Sequence, residues 1–548
     1  MKHEMDNLPS ANPSRSPLLR LWPWLLVLAV LLFVGFIRVR LLDMPLERDE
    51  GEYAYAGQLI LQGIPPYELA YNMKLPGTYY AYAAGMAVFG QTTSGIHLTL
   101  LLINALTTVF VFLLGRKLFG TTAGLVACAS YGLMSVSTAV VGMAAHATQF
   151  VVLFAVPGAL VLWKAVESRC VRTIFFSGLL FGLALLMKQQ GICFGLFGLA
   201  FLFWEAFRRK AIFTRVFASE TTAYAAGFIL PFAFFFVACA IAGDFSRFWF
   251  WTFDYARAYA SGSSFGDGMV RLNEYIHEQI LFFAGFAILT GSGLVVALCR
   301  PWKDDDASLK NSFAMGFLFF SFLGTTPGLF FRAHYFVVFL PAFAVATGMA
   351  VAAMESGLSK KMKIIPALLF AGVMAWSVKV QAWAFFRLPP PALLRAIYGD
   401  NPFVESVMAA QYIRENSNPG ARVAVIGSEP EIYFYADRHS ATGYIYTYPL
   451  MEPQPYAIGM QREMIGEIEA AKPEFIVLVL YKYSWLMGDK SDPAIINWAV
   501  DYAKKFYEPA EVIGLQPDGR IIWVVGKAAK DFHNSLPQFM VIYQRKPA

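Results

Sequence analysis

Charge is scarce in this chain. Of its 548 residues, 15% are charged, while 57% are hydrophobic and 16% aromatic. A soluble domain carries about 25% charged residues, so the deficit excludes an ordinary soluble protein. Cysteine is nearly missing as well. The five present are Cys128, Cys170, Cys193, Cys239 and Cys299, and none follows residue 299. The polar C-terminal region therefore has no disulfide framework to reveal its compartment. No Cys/His cluster has metal-ligand spacing, and no Gly-rich loop of the Walker type occurs. Internal repeats and low-complexity blocks are absent too. The net charge of +6 is spread over short loops, as topology-setting cations are, and does not point to nucleic acid.

What the chain has instead is apolar stretches. They recur from Leu21 to about Trp383, each of roughly 20 residues and matched to a hydrocarbon core about 30 Å thick. An open sheet cannot span there, because backbone groups must be satisfied within the segment. The chain reads as a polytopic α-helical membrane protein of eleven spans. They lie near 21–41, 96–115, 121–141, 146–163, 173–188, 190–206, 221–242, 279–299, 312–330, 334–353 and 364–383. Residues 1–20 form a polar, Pro-containing tail. The run that follows is too long for a signal peptide and reads as an uncleaved first helix. "GTYYAYAAGMAVFG" (77–90) is short and rich in Gly, Ala and Tyr. We read it as an interfacial or re-entrant helix.

Loop charges set the orientation. With the N-terminus inside, the inner loops hold fifteen Lys and Arg, among them Arg208, Arg209, Lys210, Lys360, Lys361 and Lys363. The outer loops after the first hold Lys188, Arg247, Arg257, Arg271 and Arg332. That bias follows the positive-inside rule. Arg38 and Arg40, at the outer end of the first span, run against it. The first loop (43–95) and everything after residue 383 then face the extracytoplasmic side. In the region 384–548 the hydrophobic period changes. "RVAVIG" (422–427), "EFIVLVL" (474–480) and "RIIWVVG" (520–526) read as strands, and 401–416 and 459–471 as helices. The alternation predicts a small α/β domain joined through "RLPPPA" (387–392).

The outward loops collect unusual groups. Asp49, Glu50, Glu52, Glu68 and Lys74 come from the first, His146 from the second and Lys188, Gln189 and Gln190 from the third. Arg247, Arg257 and His277 belong to the long aromatic loop 243–278, and Arg332, His334 and Tyr335 to "FFRAHYF". Carboxylates beside several cations suit a site that handles an anionic group and removes a proton. Plainer readings stand beside this one. Asp49 and Glu50 also suit a helix N-cap, Lys188 an interfacial snorkel, His146 a packing position and His277 a solvated pair with Glu278. "KDDDAS" (303–308) reads as a solvated charge run.

"DEGEYAYAGQLILQG", "NMKLPGTYYAYA", "GLLFGLALLMKQQG", "RAHYFVVFLPAFA" and "VIGSEPEIYFYADRHSATGY" occur in this order. Together they resemble the polyprenol-phosphate-sugar glycosyltransferases of the GT-C class, similar to bacterial protein O-mannosyltransferases and the lipid A aminoarabinose transferase. The resemblance implies a GT-C fold of about eleven transmembrane helices with a C-terminal extracytoplasmic α/β domain, in the bacterial inner (plasma) membrane. It implies Asp49 as catalytic base, with Glu50 an adjacent acidic group. Tyr53, Lys74, Lys188, Arg332 and Tyr335 would line the donor phosphate and sugar pocket, and His146 and His334 are further candidates. His146 stands where such proteins often place an acid. The implied partners are a polyprenyl-phosphate-linked sugar donor and a lipid, glycan or protein acceptor. No cofactor is called for, and a divalent metal is left open. Two rivals remain. An O-antigen ligase or glycan polymerase usually places its large outer loop late among the spans, and a transporter would show repeated halves.

Overall fold

The computed structural model describes residues 17–243, 245–298, 305–532 and 536–547. Most of the expected N-terminal tail, Cys299, Arg300, Lys303 and the first residues of the 303–308 charge run lie outside the described residues. Among the described residues, thirteen helices of at least thirteen residues form the first part of the chain, with short helices over Phe245–Trp249 and Ala256–Ala260 besides. The long ones are α1 (Pro17–Arg40), α2 (Arg48–Leu61), α3 (Gly77–Phe89), α4 (Thr93–Phe119), α5 (Thr121–Met134), α6 (Ala147–Ser168) and α7 (Val171–Met187). After these come α8 (Ile192–Arg208), α9 (Arg215–Ala242), α10 (Phe265–Leu298), α11 (Asp305–Leu323), α12 (Leu340–Gly357) and α13 (Ile364–Ala382).

Each of the eleven expected spans coincides with one of these helices. Eight helices are long and apolar enough to cross a membrane, and α5 and α7 are apolar but shorter. α11 opens on Asp305 and Asp306 and is not among these apolar helices. The segment 77–90 forms α3, whose thirteen residues span only about 20 Å. That is short of a hydrocarbon core.

Several expected spans have different ends: α9 begins at Arg215 rather than 221 and α10 at Phe265 rather than 279, and three others are interrupted or shortened. α5 stops at Met134 rather than 141, and the chain turns through Thr138–Val140 before α6. α12 begins at Leu340, with Pro341 in its first turn and a separate turn over Ala333–Val338 before it. α11 stops at Leu323 rather than 330. Irregular backbone survives beside lipid only where protein satisfies its polar groups. Arg38 does this for the first turn, its guanidinium donating to the carbonyls of Ser135 and Gly142, both at 3.1 Å. Arg40 donates to the carbonyls of Ala384, Leu388 and Phe385 at 2.6, 2.7 and 2.8 Å. The two arginines that opposed the charge bias thus hold carbonyl oxygens at helix ends.

The C-terminal part carries α14 (Phe403–Glu415), β1 (Arg422–Ile426), α15 (Glu431–Ala436), β2 (His439–Ser440), α16 (Ala457–Ala471) and β3 (Phe475–Leu480). It continues with α17 (Ala494–Phe506), β4 (Tyr507–Leu515), β5 (Ile521–Val525) and β6 (Gln538–Arg545). One six-stranded sheet has the order β2-β1-β3-β6-β4-β5. β1 is parallel to β2 and β3, while β6 runs antiparallel between β3 and β4. The three expected strands are present; β2, β4 and β6 were not expected. Of the linker "RLPPPA" only Leu388 and Pro389 are extended, between a helical turn over Trp383–Arg387 and a helix over Pro390–Tyr398.

This sheet domain sits directly on α2. A methyl group at Gly51 would overlap the Cα, Cβ and backbone nitrogen of Glu431 in α15. The Ser440 amide donates to the Tyr55 hydroxyl at 2.7 Å, and Gln58 donates to Asp437 at 3.1 Å.

Candidate functional site

The acidic run 47–52 becomes the start of α2, and its members point different ways. Glu47 is the N-cap. Its carboxylate accepts from the Glu50 amide at 2.9 Å, and Glu50 reaches back to the Glu47 amide, completing a capping box. Acids are favoured there because the first-turn N–H groups are otherwise unpaired. The N-cap is thus Glu47 rather than Asp49 or Glu50, Glu50 completes the box, and of the expected pair only Asp49 lines the cavity.

Asp49 faces a cavity of about 220 Å³. Lys74, Lys188, Gln189, Arg332, His334 and Tyr335 line the same cavity. The sequence-predicted residues Asp49, Lys74, Lys188, Arg332, Tyr335 and His334 are thus brought together from four separate segments. Lys74 Nζ lies 2.8 Å from Asp49 Oδ1 and 2.7 Å from Glu52 Oε2. Glu52 is fully buried, and the hydroxyls of Tyr79 and Tyr446 donate to it at 2.6 and 3.0 Å. One ammonium is held by two carboxylates, and one carboxylate is locked by two phenols. Asp49 Oδ2 lies 3.8 and 3.9 Å from the imidazoles of His146 and His334. These distances are beyond a hydrogen bond.

Three expected residues stand behind the cavity wall. Tyr53 is buried beneath Lys74, whose ammonium lies 4.6 Å from its ring centre. His146 is buried and stacks on His334 with ring centres 4.3 Å apart. Glu50 turns away from the cavity. Its Oε1 accepts from the Ala145 amide at 2.6 Å and meets His97 Nε2 at 3.2 Å. Glu50 thus ties α2 to the loop that delivers His146. Successive helical residues project about 100° apart, so only one of the pair 49 and 50 can face the cavity.

The electrostatics are uneven. Burial alone would raise the Asp49 carboxyl, but Lys74 together with His146 and His334 holds it well below the usual carboxylate range. Lys188 is pushed down to about 7 by burial, opposed in part by Asp49 and reinforced by Lys74 and Arg332. Its ammonium lies 4.6 Å from the Tyr335 ring. Burial lowers both imidazoles of the stacked pair. Glu47 and Asp49 reverse this for His146, whereas His146 and Lys188 deepen it for His334. The pair is therefore suited to one proton rather than two.

Asp49, His146 and His334 could also hold a divalent ion, since one ligand atom from each lies within 4.8 Å of the others. Both ring nitrogens of the buried His146 lack a hydrogen-bond partner, as a ligand awaiting an ion would. The donor set of two imidazoles and a carboxylate fits zinc-like chemistry.

Several lining residues were not among the sequence-derived candidates. Tyr446, Tyr448 and Glu452 come from the C-terminal domain, and Tyr71, Trp251, Tyr255 and Tyr259 from the loops. The Tyr255 hydroxyl donates to Glu452 at 2.5 Å, and burial pushes the Glu452 carboxyl up to about 6. Tyr259 accepts from Arg332 at 3.2 Å. Only the aromatic richness of the 243–278 loop signalled any of them. Arg247 packs over Tyr71. His277 bonds the Asn273 carbonyl at 2.8 Å, and neither residue lines the cavity. In the described part of the charge run, Asp305 pairs with Arg208 and Asp306 with Lys310.

Residues 74–235 match the family model described as dolichyl-phosphate-mannose-protein mannosyltransferase, under a third of the chain. The chain is 30% identical over 145 residues to an undecaprenyl phosphate-alpha-4-amino-4-deoxy-L-arabinose arabinosyl transferase of Pseudomonas aeruginosa. That match spans 25% of this chain and 26% of the relative's length. The solved structure of ArnT from Cupriavidus metallidurans bound to undecaprenyl phosphate superposes with a TM-score of 0.58 at 15% identity, over 95% of this chain and 98% of that one. Archaeal oligosaccharyltransferase AglB from Archaeoglobus fulgidus, in complex with an inhibitory peptide and a dolichol-phosphate, gives 0.53 at 14% identity, over 97% and 77%. Arabinofuranosyltransferase AftD from Mycobacteria gives 0.51 at 11% identity, over 96% and 40%. At these identities the structural likeness is one of fold.

Proposed function

We propose that this chain, which shares its fold with ArnT and AglB and has among its described residues eight helices long and apolar enough to cross a membrane, is a membrane glycosyltransferase that transfers a sugar from a polyprenyl-phosphate-linked donor to an acceptor hydroxyl. The observation that carries this reading is the single cavity where Asp49 meets Lys74, Lys188 and Arg332. ArnT bound to undecaprenyl phosphate and AglB in complex with a dolichol-phosphate support the donor class.

In this reading Asp49 is the general base. Lys74 is held on Oδ1, leaving Oδ2 toward the cavity to take the proton of the acceptor hydroxyl. The acceptor oxygen forms a bond to the anomeric carbon as the bond from that carbon to the phosphate oxygen breaks. The electron pair leaves on the phosphate, and Lys188 and Arg332 meet the growing charge. In a partly dry cavity such pairs interact several times more strongly than in water. Asp49 Oδ2, His146 and His334 would hold a divalent ion, which would supply Lewis-acid stabilisation of negative charge, and Oδ2 would then be its ligand rather than the base. The aromatic walls, Tyr71, Trp251, Tyr255 and Tyr448, offer faces on which a sugar ring can lie.

We place the cavity on the extracytoplasmic side of a bacterial plasma membrane, with a tail over 1–20, a catalytic membrane domain over 21–383 and the sheet domain over 384–548. The charge bias of the loops supports this, and its two exceptions, Arg38 and Arg40, have structural work of their own. The acceptor can be a lipid, a glycan or a protein. Direct displacement inverts the anomeric centre. Proton NMR of product made by the purified protein from a donor of defined configuration tests the mechanism. Inversion is expected, and retained configuration would exclude direct displacement.

A further inference from the structure

Arg48 lies beside Asp49 in the first turn of α2, yet its side chain leaves the cavity and enters the sheet domain. Its Nε donates to the Ser428 carbonyl at 2.5 Å, Nη1 to Asn401 Oδ1 at 3.1 Å and Nη2 to Glu429 Oε1 at 3.0 Å. The rings of Tyr448 and Phe403 approach the guanidinium at 5.1 and 5.2 Å. The receiving groups are themselves fixed. Glu429 Oε2 accepts from the Ser428 amide and the Ser484 hydroxyl, both at 2.7 Å. Thr447 Oγ1 donates to the Ser484 carbonyl at 2.9 Å and pairs with Ser428 Oγ at 3.1 Å.

The location is informative. Ser428 and Glu429 follow β1, and Ser484 follows β3, its parallel neighbour. The crevice beyond the carboxyl ends of parallel strands is where open α/β sheets hold ligands. Here the occupant is an arginine of the membrane part of the same chain. A second grip comes from Tyr446, whose hydroxyl reaches the Arg48 carbonyl and Glu52 Oε2, both at 3.0 Å. Gly51 completes the fit, since no side chain can stand between α2 and Glu431.

We propose that Arg48 and Tyr446 are positioning residues for Asp49, and that the sheet domain is thereby an integral part of the reaction site. The side chains on either side of Asp49 in sequence are anchored elsewhere, Arg48 in the sheet domain and Glu50 against His97 and Ala145. The turn that carries the aspartate is thereby held on both sides, and Asp49 lines the cavity. A guanidinium fork fixes orientation where an ammonium fixes only a charge. This inference rests on the reading of Asp49 as the base.

The test uses the full-length protein in nanodiscs, with the variants Arg48→Lys and Tyr446→Phe. Hydrogen exchange is followed at the amides of 50–55, turnover with a polyprenyl-phosphate sugar, and affinity with the bare polyprenyl phosphate. Protection in α2 is expected to fall about tenfold or more. Turnover should fall about tenfold to a hundredfold, as expected for a reacting group displaced by about an ångström. Affinity for the polyprenyl phosphate should stay within about twofold for Arg48→Lys, whose side chain lies outside the cavity; Tyr446 lines the cavity, so for Tyr446→Phe the exchange measurement is the deciding readout. The double variant should lose less than the product of the single losses, because both grips act on one turn. Unchanged exchange in both variants would overturn the clamp. Increased exchange with full turnover would overturn the positioning role. A lowered affinity matching the loss of turnover would mean a binding role instead. If Arg48→Lys does not accumulate, Tyr446→Phe, which removes one oxygen, decides alone. A wild-type protein with no transferase activity would overturn the proposed function, and the exchange measurement would still judge the clamp.

Discussion

Donor binding should take up a proton near neutral pH, and Lys188 should be the group that takes it. In the free protein burial holds this ammonium at about 7, so it is largely neutral at pH 8. A phosphodiester is singly charged throughout the neutral range and does not titrate there. Placed about 4 Å from Lys188 it would stabilise the charged form by about 4 kcal/mol at an effective dielectric of about 20. At about 1.4 kcal/mol per unit this raises the bound lysine to about 10. The sign follows directly. Below pH 7 Lys188 is already charged and affinity is flat. Well above 7 each pH unit costs about tenfold in affinity, and the loss between pH 7 and 9 is about fiftyfold. Calorimetric titration with a short-chain polyprenyl phosphodiester, in two buffers of different ionisation enthalpy, reads the proton directly. By the same shift, about 0.9 proton per donor is expected at pH 8 and about none at pH 5.5. Lys188→Arg, charged at every pH used, should bind with no proton uptake and no loss at pH 9. PH-independent affinity in the wild type, or an undiminished slope in Lys188→Arg, would refute the reasoning.

Other parts of the structure make equally direct statements. Gly51→Ala places a methyl against the Glu431 backbone and should destabilise the junction by about 1–3 kcal/mol; an unchanged melting temperature would show that α2 and α15 part easily. Glu50→Gln keeps the shape but weakens the bonds to Ala145 and His97. Hydrogen bonds to a charged group are worth about 1.5–3 kcal/mol, so a lower melting temperature with substantial turnover is expected. Loss of turnover as deep as in an Asp49 variant would instead give Glu50 a chemical role. Arg40→Ala leaves three carbonyls at Ala384, Phe385 and Leu388 without their donor. Limited proteolysis should then cut near 385–389 at an elevated rate, and resistance equal to wild type would argue that other groups satisfy those oxygens.

Much of this architecture was legible from composition and spacing. Each apolar run became a helix, and isolated charges such as Lys188 and Arg332 marked the cavity because apolar surroundings make a stray cation costly. The ends of spans were harder. Residues 135–141 are apolar enough to continue a helix, and the turn there is satisfied by distant groups, Arg38 on the Ser135 and Gly142 carbonyls, Gln381 on the Thr138 amide and Tyr275 on the Ala139 carbonyl. Adjacent acids could not be told apart, because Asp49 and Glu50 differ only in helical phase and the phase depends on what α2 packs against. In the sheet, β4 carries Pro509 and a bulge before Glu511, which hide its alternation, and β2 is two residues long. Tyr446 and Arg48 meet across nearly four hundred residues. No local pattern encodes that contact. His146 looked like a packing residue, and it does pack, but against His334 beside the aspartate.

The most direct measurement of the central claim compares Asp49→Asn with the wild type in one purified preparation, reading both sugar transfer and polyprenyl phosphate binding. The substitution keeps the shape and removes the basic oxygen. Transfer should fall by about 10²–10⁴, the usual worth of a general base, while binding stays within about twofold because Lys188 and Arg332 remain. Transfer within a few-fold of wild type would contradict the account, since the proton would then leave by another route.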